Sequence, residues 1–305
     1  MVGGIILKKR RGIREGNPVI TFFLYALTAF LALVTVYPMY YVFILSISEP
    51  KAAAAMNVYW IPKGFSLDAY KALIGDSEMW RAYLNTILYV VCTTILMLIT
   101  SVMVAYPLTY KGLKGRKYIN MFLLIPMYFS GGMIPAFLLI TKLGLYGHPL
   151  SQIIPACFSI WNIILVKAYL SSIPEGLREA AKIDGAGVFR ILVDVYLPLS
   201  KPILAVLAVY TIVAVWNNWF SALIYLPKTD WQPLQLYLRR GLVEDTKQIQ
   251  EVMGPEMAQE MVRKQMSGAQ MKYAMIIFTT LPVLFAYPFF QKYFVKGVML
   301  GSLKE

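Results

Sequence analysis

The sequence predicts an all-α, polytopic membrane protein with six transmembrane helices. Three observations carry that expectation: an excess of apolar residues, the spacing of the charges, and the side on which the basic residues collect. Of 305 residues, 58% are hydrophobic and only 15% are charged, whereas a soluble domain is about a quarter charged. The surplus of apolar surface has no stable arrangement in water. Disorder, collagen and coiled coil are excluded on the same grounds. Two cysteines, Cys92 and Cys157, both in apolar stretches, exclude a disulfide scaffold and read as packing residues. A single histidine, His148, leaves little for a metal centre or a triad, so no catalytic or metal-ligating residue is assigned.

Six charge-free runs reach 19 residues: Gly16–Ser48, Ala82–Tyr110, Tyr118–Thr141, Leu143–Val166, Pro202–Pro227 and Tyr273–Gln291. About 20 apolar helical residues cross a hydrocarbon core, so each run suits one span. The spans fall at about 19–47, 83–110, 118–141, 151–170, 202–226 and 273–293. Ahead of the first stand Lys8, Lys9, Arg10, Arg11 and Arg14. A secretory signal has a core of only about 7–15 residues, so this span is expected to be retained, with the N-terminus in the cytoplasm. Six crossings return the C-terminus to the same side.

The charges test that orientation. Cytoplasmic segments hold 17 basic and 6 acidic residues, and outer segments hold 12 and 10. The inner face is therefore +11 and the outer face +2 within a total of +13, as the positive-inside rule requires. The basic balance reports topology, and nucleic-acid binding loses its support.

The first outer loop, Glu49 to Arg81, mixes Trp60, Pro62, Gly64 and Phe65 and reads as a folded cap. Lys111 to Lys117 is a short basic turn and an inner-face anchor. In the third span Gly131-Gly132-Met133-Ile134-Pro135 interrupts the helix late, as a break lining a cavity or as a kink near the interface. Pro149 and Pro155 make the fourth span the least regular. The inner loop 171–201 opens with Ser172-Ile-Pro-Glu175, which has the form of a capping box. A short helix to about Asp184 follows, stopped by Gly185 and Gly187; a second apolar stretch, Val188–Leu197, is expected to end at Pro198 and lead through Pro202 into span five. The outer loop 228–272 carries Trp231, Arg239, Arg240 and a stripe of methionines from Met253 to Met271. The stripe reads as packing or as an adaptable partner surface.

In span five, Trp216-Asn217-Asn218-Trp219 offers both of the groups that hold sugars: aromatic faces and planar amides. Polar residues inside a membrane often face a cavity; the competing reading is interhelical hydrogen bonding and an aromatic belt. Asn218 leads these candidates, ahead of Asn217, Trp216 and Trp219, with Tyr128 and Trp161-Asn162 weaker.

The inner loop is also where a family resemblance lies. Glu179-Ala180-Ala181, Gly185, Val195 and Leu197-Pro198 resemble the EAA loop of permease subunits in binding-protein-dependent ABC importers, with Val195 where that family prefers Ile. Pro174 to Ala186, followed by Leu197 to Pro202, looks like the carbohydrate-uptake branch, similar to the maltose-type second permease (MalG-like). Ser130 to Pro135 resembles an LplC-like subgroup associated with larger or unusual oligosaccharides. The resemblance implies that Glu179, Ala180, Ala181, Asp184, Gly185 and Ala186 form a coupling helix seated in a cytoplasmic ATPase, with Leu197-Pro198 completing the motif and the tail Lys296–Lys304 reaching towards the ATPase dimer. The expected partners are a second permease in a heterodimer, two ATPase subunits, an extracytoplasmic solute-binding protein, an oligosaccharide and the lipid of a bacterial cytoplasmic (inner) membrane. No G-x-x-x-x-G-K-[ST] run is present, so ATP and Mg are expected in the partner ATPase and no cofactor in this chain. The resemblance also implies that much of the sugar binding falls to the sister permease.

The function expected is ATP-driven import of an oligosaccharide, without covalent chemistry by this chain. The near-neutral outer face leaves neutral and anionic sugars, uronate oligosaccharides among them, both open. An ABC importer for a non-sugar solute is the alternative. A secondary transporter needs paired ionisable residues within its spans, and the six runs contain none. A membrane enzyme needs an acid–base or metal cluster, which a lone His148 does not supply.

Overall fold

The computed structural model describes residues 18–244 and 268–285. Among these the secondary structure is helical, and the only extended pairing is an isolated antiparallel bridge between Ser48 and Phe65. Five helices are long and apolar enough to span a membrane, and a bent pair makes six if counted as one span. The protein is an all-α polytopic membrane protein, as the sequence predicts.

Helix α1, Pro18–Ser46, is apolar all round and buries only Ile44, Leu45 and Ser46. Its 29 residues reach about 43 Å at 1.5 Å each. Phe22, Phe23 and Leu33 stand outward, an arrangement suited to lipid rather than water. The next segment folds back over the end of α1 through α2 (Pro50–Ala54) and α3 (Asp68–Gly75). It is closed by backbone bonds from Glu49 to Lys63 and from Ser66 to Ile47. The Tyr40 hydroxyl donates to the Trp60 carbonyl at 2.6 Å, which ties the cap to α1.

The bundle is organised on α4, Ser77–Ala105, which starts on an Asp76 cap that accepts from the Glu78 amide at 2.8 Å. A 3-10 turn, Pro107–Thr109, ends it. Two cores lie along α4. One packs Met97, Val102 and Tyr106 against Ile163, Val166, Ile191, Tyr196 and Leu207. The other packs Met79 and Val90 against Trp216, Leu234 and Ala274.

The third predicted span, 118–141, is two helices, α5 (Arg116–Tyr128) and α6 (Met133–Lys142), bent by 114°. Gly132 at the joint has φ +85° and ψ 177°, a region open essentially to glycine alone. The fourth, 151–170, also departs from a single helix. It comprises α7 (Leu150–Ile153), a 3-10 turn at Pro155–Cys157 and α8 (Ile160–Ser171). Phe158 and Ser159 are extended, and Ser159 caps α8. The Thr100 hydroxyl donates to the Cys157 carbonyl at 2.6 Å, so this part-buried acceptor at the break has a partner.

The inner loop contains α9 (Glu175–Ile183) and α10 (Val188–Ile191). The expected stop at Pro198 is absent. From α10 the chain continues through a π turn, Leu192–Tyr196, into α11, Leu197–Trp216. The Leu197 amide reaches the Leu192 carbonyl, five residues back. This widened turn falls where Pro198, without an N–H, would break the ordinary ladder, so helix persists. The fifth predicted span, 202–226, instead breaks at Asn217–Trp219 before α12 (Phe220–Tyr225). A 3-10 turn at Thr229–Trp231 leads to α13 (Leu234–Glu244), and α14 covers Gly268–Phe285.

The start of the 228–272 segment runs along α4 rather than away from it. The Asn85 amide donates to the carbonyls of Asp230 at 2.8 Å and Gln232 at 3.1 Å. The Tyr89 hydroxyl donates to the Trp231 carbonyl at 2.7 Å, and the Leu234 amide donates to Thr86 Oγ1 at 2.8 Å. Further along α13, Tyr237 donates to Asp76 and Arg240 pairs with Glu78. Thr86 lies eight residues beyond Glu78, about 12 Å along a helix, so α13 begins roughly 12 Å deeper than it ends.

Candidate functional site

The inner loop is closed by a helix ending that requires glycine. Gly185 has φ +79°. Its amide donates to the Lys182 carbonyl at 3.0 Å, and the Ala186 amide donates to the Ala181 carbonyl at 2.9 Å, the two bonds of a Schellman ending. A Cβ at Gly185 would meet nothing within 4 Å, so the requirement is backbone conformation and not space. The predicted capping box does not form. Pro174 is the cap residue and makes no side-chain bond, while the Ser172 hydroxyl donates to the Tyr169 carbonyl at 2.7 Å. Glu175 is drawn away from the amides by two cations, Lys111 at 2.9 Å and Arg178.

Those contacts make a knuckle beneath α9 that sequence reading missed. Arg178 is 8% exposed, with its guanidinium 4.5 Å from the Tyr110 ring centre. The Tyr110 ring meets Tyr106 edge-on at 5.6 Å, and Tyr106 meets Tyr196 at 5.2 Å. The Tyr106 hydroxyl donates to the Val188 carbonyl at 3.1 Å. One cluster thus joins α9, the end of α4, the start of α10 and the π turn. The Lys111 ammonium, with Arg178 beside it, holds the Glu175 carboxyl below its ordinary range. Lys111 is therefore part of the joint, a role the sequence reading did not give it. Two signals in the sequence were available: Tyr106 and Tyr110 one turn apart, and Glu175 three residues before Arg178.

The predicted coupling residues divide between two faces. Glu179, Ala180, Asp184, Gly185 and Pro198 are exposed; Ala181, Ala186 and Leu197 are partly buried and pack on the inner core. Beside the exposed set stand Ile183 at 86% and Phe189 at 70% exposure. A rigid, small-residue ridge flanked by bare apolar side chains can seat against another protein and pass displacement into α4 and α11 through the knuckle.

The second predicted group, at the α11–α12 break, does not act as a unit. Trp216 is buried, donates to the Thr279 carbonyl at 3.3 Å and meets Tyr83 edge-on at 6.0 Å. It is a packing residue between α4, α11 and α14. Asn217 is exposed and its amide returns to the Val213 carbonyl. Asn218, one residue before the Trp219 cap, bonds into the first turn of α12: its amide donates to Ser221 Oγ at 2.6 Å and its side-chain oxygen accepts from the Ser221 amide at 3.4 Å. The Ser221 hydroxyl donates to Gln152 Oε1 at 2.6 Å, so a short polar chain connects α12 to α7. Trp219 lies under Arg239 of α13, whose guanidinium stands 3.7 Å from the ring centre. Tyr128 is 75% exposed at the end of α5, and Trp161 is 57% exposed on α8. Gln152 and Ser221 were not singled out in the sequence, and Arg239 was noted only as part of the Arg239-Arg240 pair, with no role. The methionines before Met271, the basic head and the tail beyond Phe285 lie outside the described residues.

Comparison with known proteins places this architecture. Residues 98–300 match the family described as "Binding-protein-dependent transport system inner membrane component". Protein LplC of Bacillus subtilis (strain 168) is 34% identical over 89% of this chain and 90% of its own length. The polygalacturonan/rhamnogalacturonan transport system permease protein YtcP of the same organism is 32% identical over 94% and 99%. Among solved structures, a chain of a bacterial ABC transporter involved in the import of the acidic polysaccharide alginate superposes with a TM-score of 0.81 at 32% identity, covering 91% of this chain and 97% of that one. The chain belongs to the family of inner membrane components of binding-protein-dependent transport systems.

Proposed function

We propose that this chain is one permease half of an ATP-driven oligosaccharide importer, with the α9 ridge seated on a separate ATPase subunit. The observation that carries the reading is the knuckle: the exposed face of Glu179, Ala180 and Gly185 is rigidly joined to α4 and α11 through Arg178, Tyr110, Tyr106 and Tyr196. A docking loop that only covered the inner face would not need a buried arginine beneath it. Relatives named for polygalacturonan/rhamnogalacturonan, arabinooligosaccharide and alginate import support an oligosaccharide as the solute. A sister permease, a pair of ATPases carrying ATP and Mg, and an extracytoplasmic binding protein complete the assembly. Both termini are assigned to the cytoplasm, supported by the inner-face charge of +11 against +2 outside.

In this mechanism closure of the ATPase pair displaces α9. The Gly185 ending keeps its ridge in one shape, and the continuous helix from Val188 to Trp216 carries the motion across the membrane. The test is uptake by the assembled transporter in proteoliposomes. Glu179→Lys and Gly185→Asp are expected to abolish uptake while the chain still inserts and assembles with the sister permease. Normal uptake by either variant, or uptake driven by an ion gradient without ATP, refutes the coupling assignment.

A further inference from the structure

We propose that Arg239, laid on Trp219 beside the α11–α12 break, is a selectivity residue that binds the carboxylate of an acidic sugar unit in passage. The inference rests on the sugar-import reading and adds the charge of the sugar and the residue that reads it.

The other arginines along α13 have carboxylate partners, although Arg240 Nε is itself buried without one. Arg81 pairs with Asp230 and Arg240 with Glu78. Asp76 accepts from Tyr237 and from the Glu78 amide. Arg239 has neither an ion pair nor a hydrogen bond among the described residues, and its Nη1 is buried without a partner. The residue as a whole is partly covered. A desolvated cation lacking a counter-charge is unfavourable, and among the described residues the carboxylates along α13, Asp76, Glu78 and Asp230, are already engaged. The Trp219 ring supports it at 3.7 Å and fixes the plane of the guanidinium. Nη1 is closed off, but Nε and Nη2 are not among the buried unpartnered atoms, and together they form an edge that matches a carboxylate in two parallel bonds. A neutral sugar would make no use of that charge.

The surroundings suit a sugar. The Asn218 amide, the Ser221 hydroxyl and the Gln152 amide form one connected polar chain beside the break, and Asn217 stands exposed next to it. Asn217, Asn218 and Ser221 can exchange hydrogen bonds with hydroxyls, while the buried Gln152 anchors the chain from behind. Arg239 also sits on the re-entrant α13, held beside α4 by Arg240–Glu78 and by the Leu234 amide on Thr86, so it is not on a loose outer loop.

The test uses the assembled transporter in proteoliposomes with two probes: trigalacturonate and its fully methyl-esterified form, which keeps the backbone and removes the charge. Wild type is expected to take up the acid at least tenfold faster than the ester. Arg239→Gln should bring that ratio close to one by slowing the acid while the ester is unchanged, and ester uptake shows that the variant has folded. Should Arg239→Gln move neither probe, Arg239→Lys decides: it keeps a point charge without the fork, and an intermediate ratio supports the assignment. A ratio unchanged in either variant overturns it, and equal loss of both probes by Arg239→Lys assigns Arg239 to a contact with a partner subunit instead. Wild type that moves neither probe overturns the sugar reading beneath it.

Discussion

Arg178→Met tests whether the knuckle holds the coupling ridge in place. Methionine keeps most of the aliphatic stem that packs beneath α9 and removes the charge. Glu175 is not stranded, because Lys111 still pairs with it at 2.9 Å. The main loss is the attraction between the guanidinium and the Tyr110 ring at 4.5 Å. The Arg178 side chain is only 9% exposed, so the desolvated figure of about 2 kcal/mol applies. That is a factor of about 30 in the equilibrium between a docked and a lifted α9. Amide hydrogen exchange of the membrane-inserted chain reads this directly across residues 176–186, where protection should fall about 30-fold. Tyr110→Leu removes the other partner and should produce a similar fall. In the double variant the two effects should not multiply, because one interaction is lost in all three proteins. Protection within threefold of wild type in Arg178→Met, or full additivity in the double variant, would refute the reasoning.

Two further perturbations probe the joint and the outer segment. Glu175 has a carboxyl held low by Lys111 and Arg178, so its contribution to loop docking is complete at neutral pH and persists down to the ordinary value of 4.5. It is lost only as pH falls through its own lower value, and Glu175→Gln should abolish that acid step; a fluorophore on the loop that shows the same titration in both proteins would contradict this. Asn85→Leu leaves the Asp230 and Gln232 carbonyls without their buried donor, at about 1–3 kcal/mol for each unsatisfied group. Protease should then cut within 228–244 in the variant and spare wild type, and equal resistance would show that Asn85 does not hold the segment.

Much of this arrangement was legible because lipid makes simple demands. A helix must be apolar over a fixed length, so charge-free runs marked the long apolar helices, though not the breaks inside the third, fourth and fifth runs. The EAA pattern located the loop, and Gly185 announced its turn because only glycine sits comfortably at φ +79°. The capping box failed on the same loop, since Ser172 bonds back to Tyr169 while Glu175 is taken by Arg178 and by Lys111, which only the fold brings near. Trp216 was misread for a related cause. Its apolar-plus-amide context suits a pathway, yet burial against Tyr83 and Thr279 depends on α4 and α14.

The sequence by itself determined the all-α membrane class, the apolar runs that become its long helices and the glycine turn at Gly185, because each follows from period, length or a local backbone requirement. Tertiary structure decided which polar residues are structural and which are unspent. Asn85, Thr86 and Tyr89 are consumed in satisfying the backbone of a re-entrant segment more than 140 residues away, Arg178 is buried against rings from another helix, and Arg239 has a ring beneath it and no anion among the described residues. A charge or an amide has the same appearance in a sequence whether it is satisfied or not; its partner is chosen by packing between distant segments, and that choice separates scaffold from site.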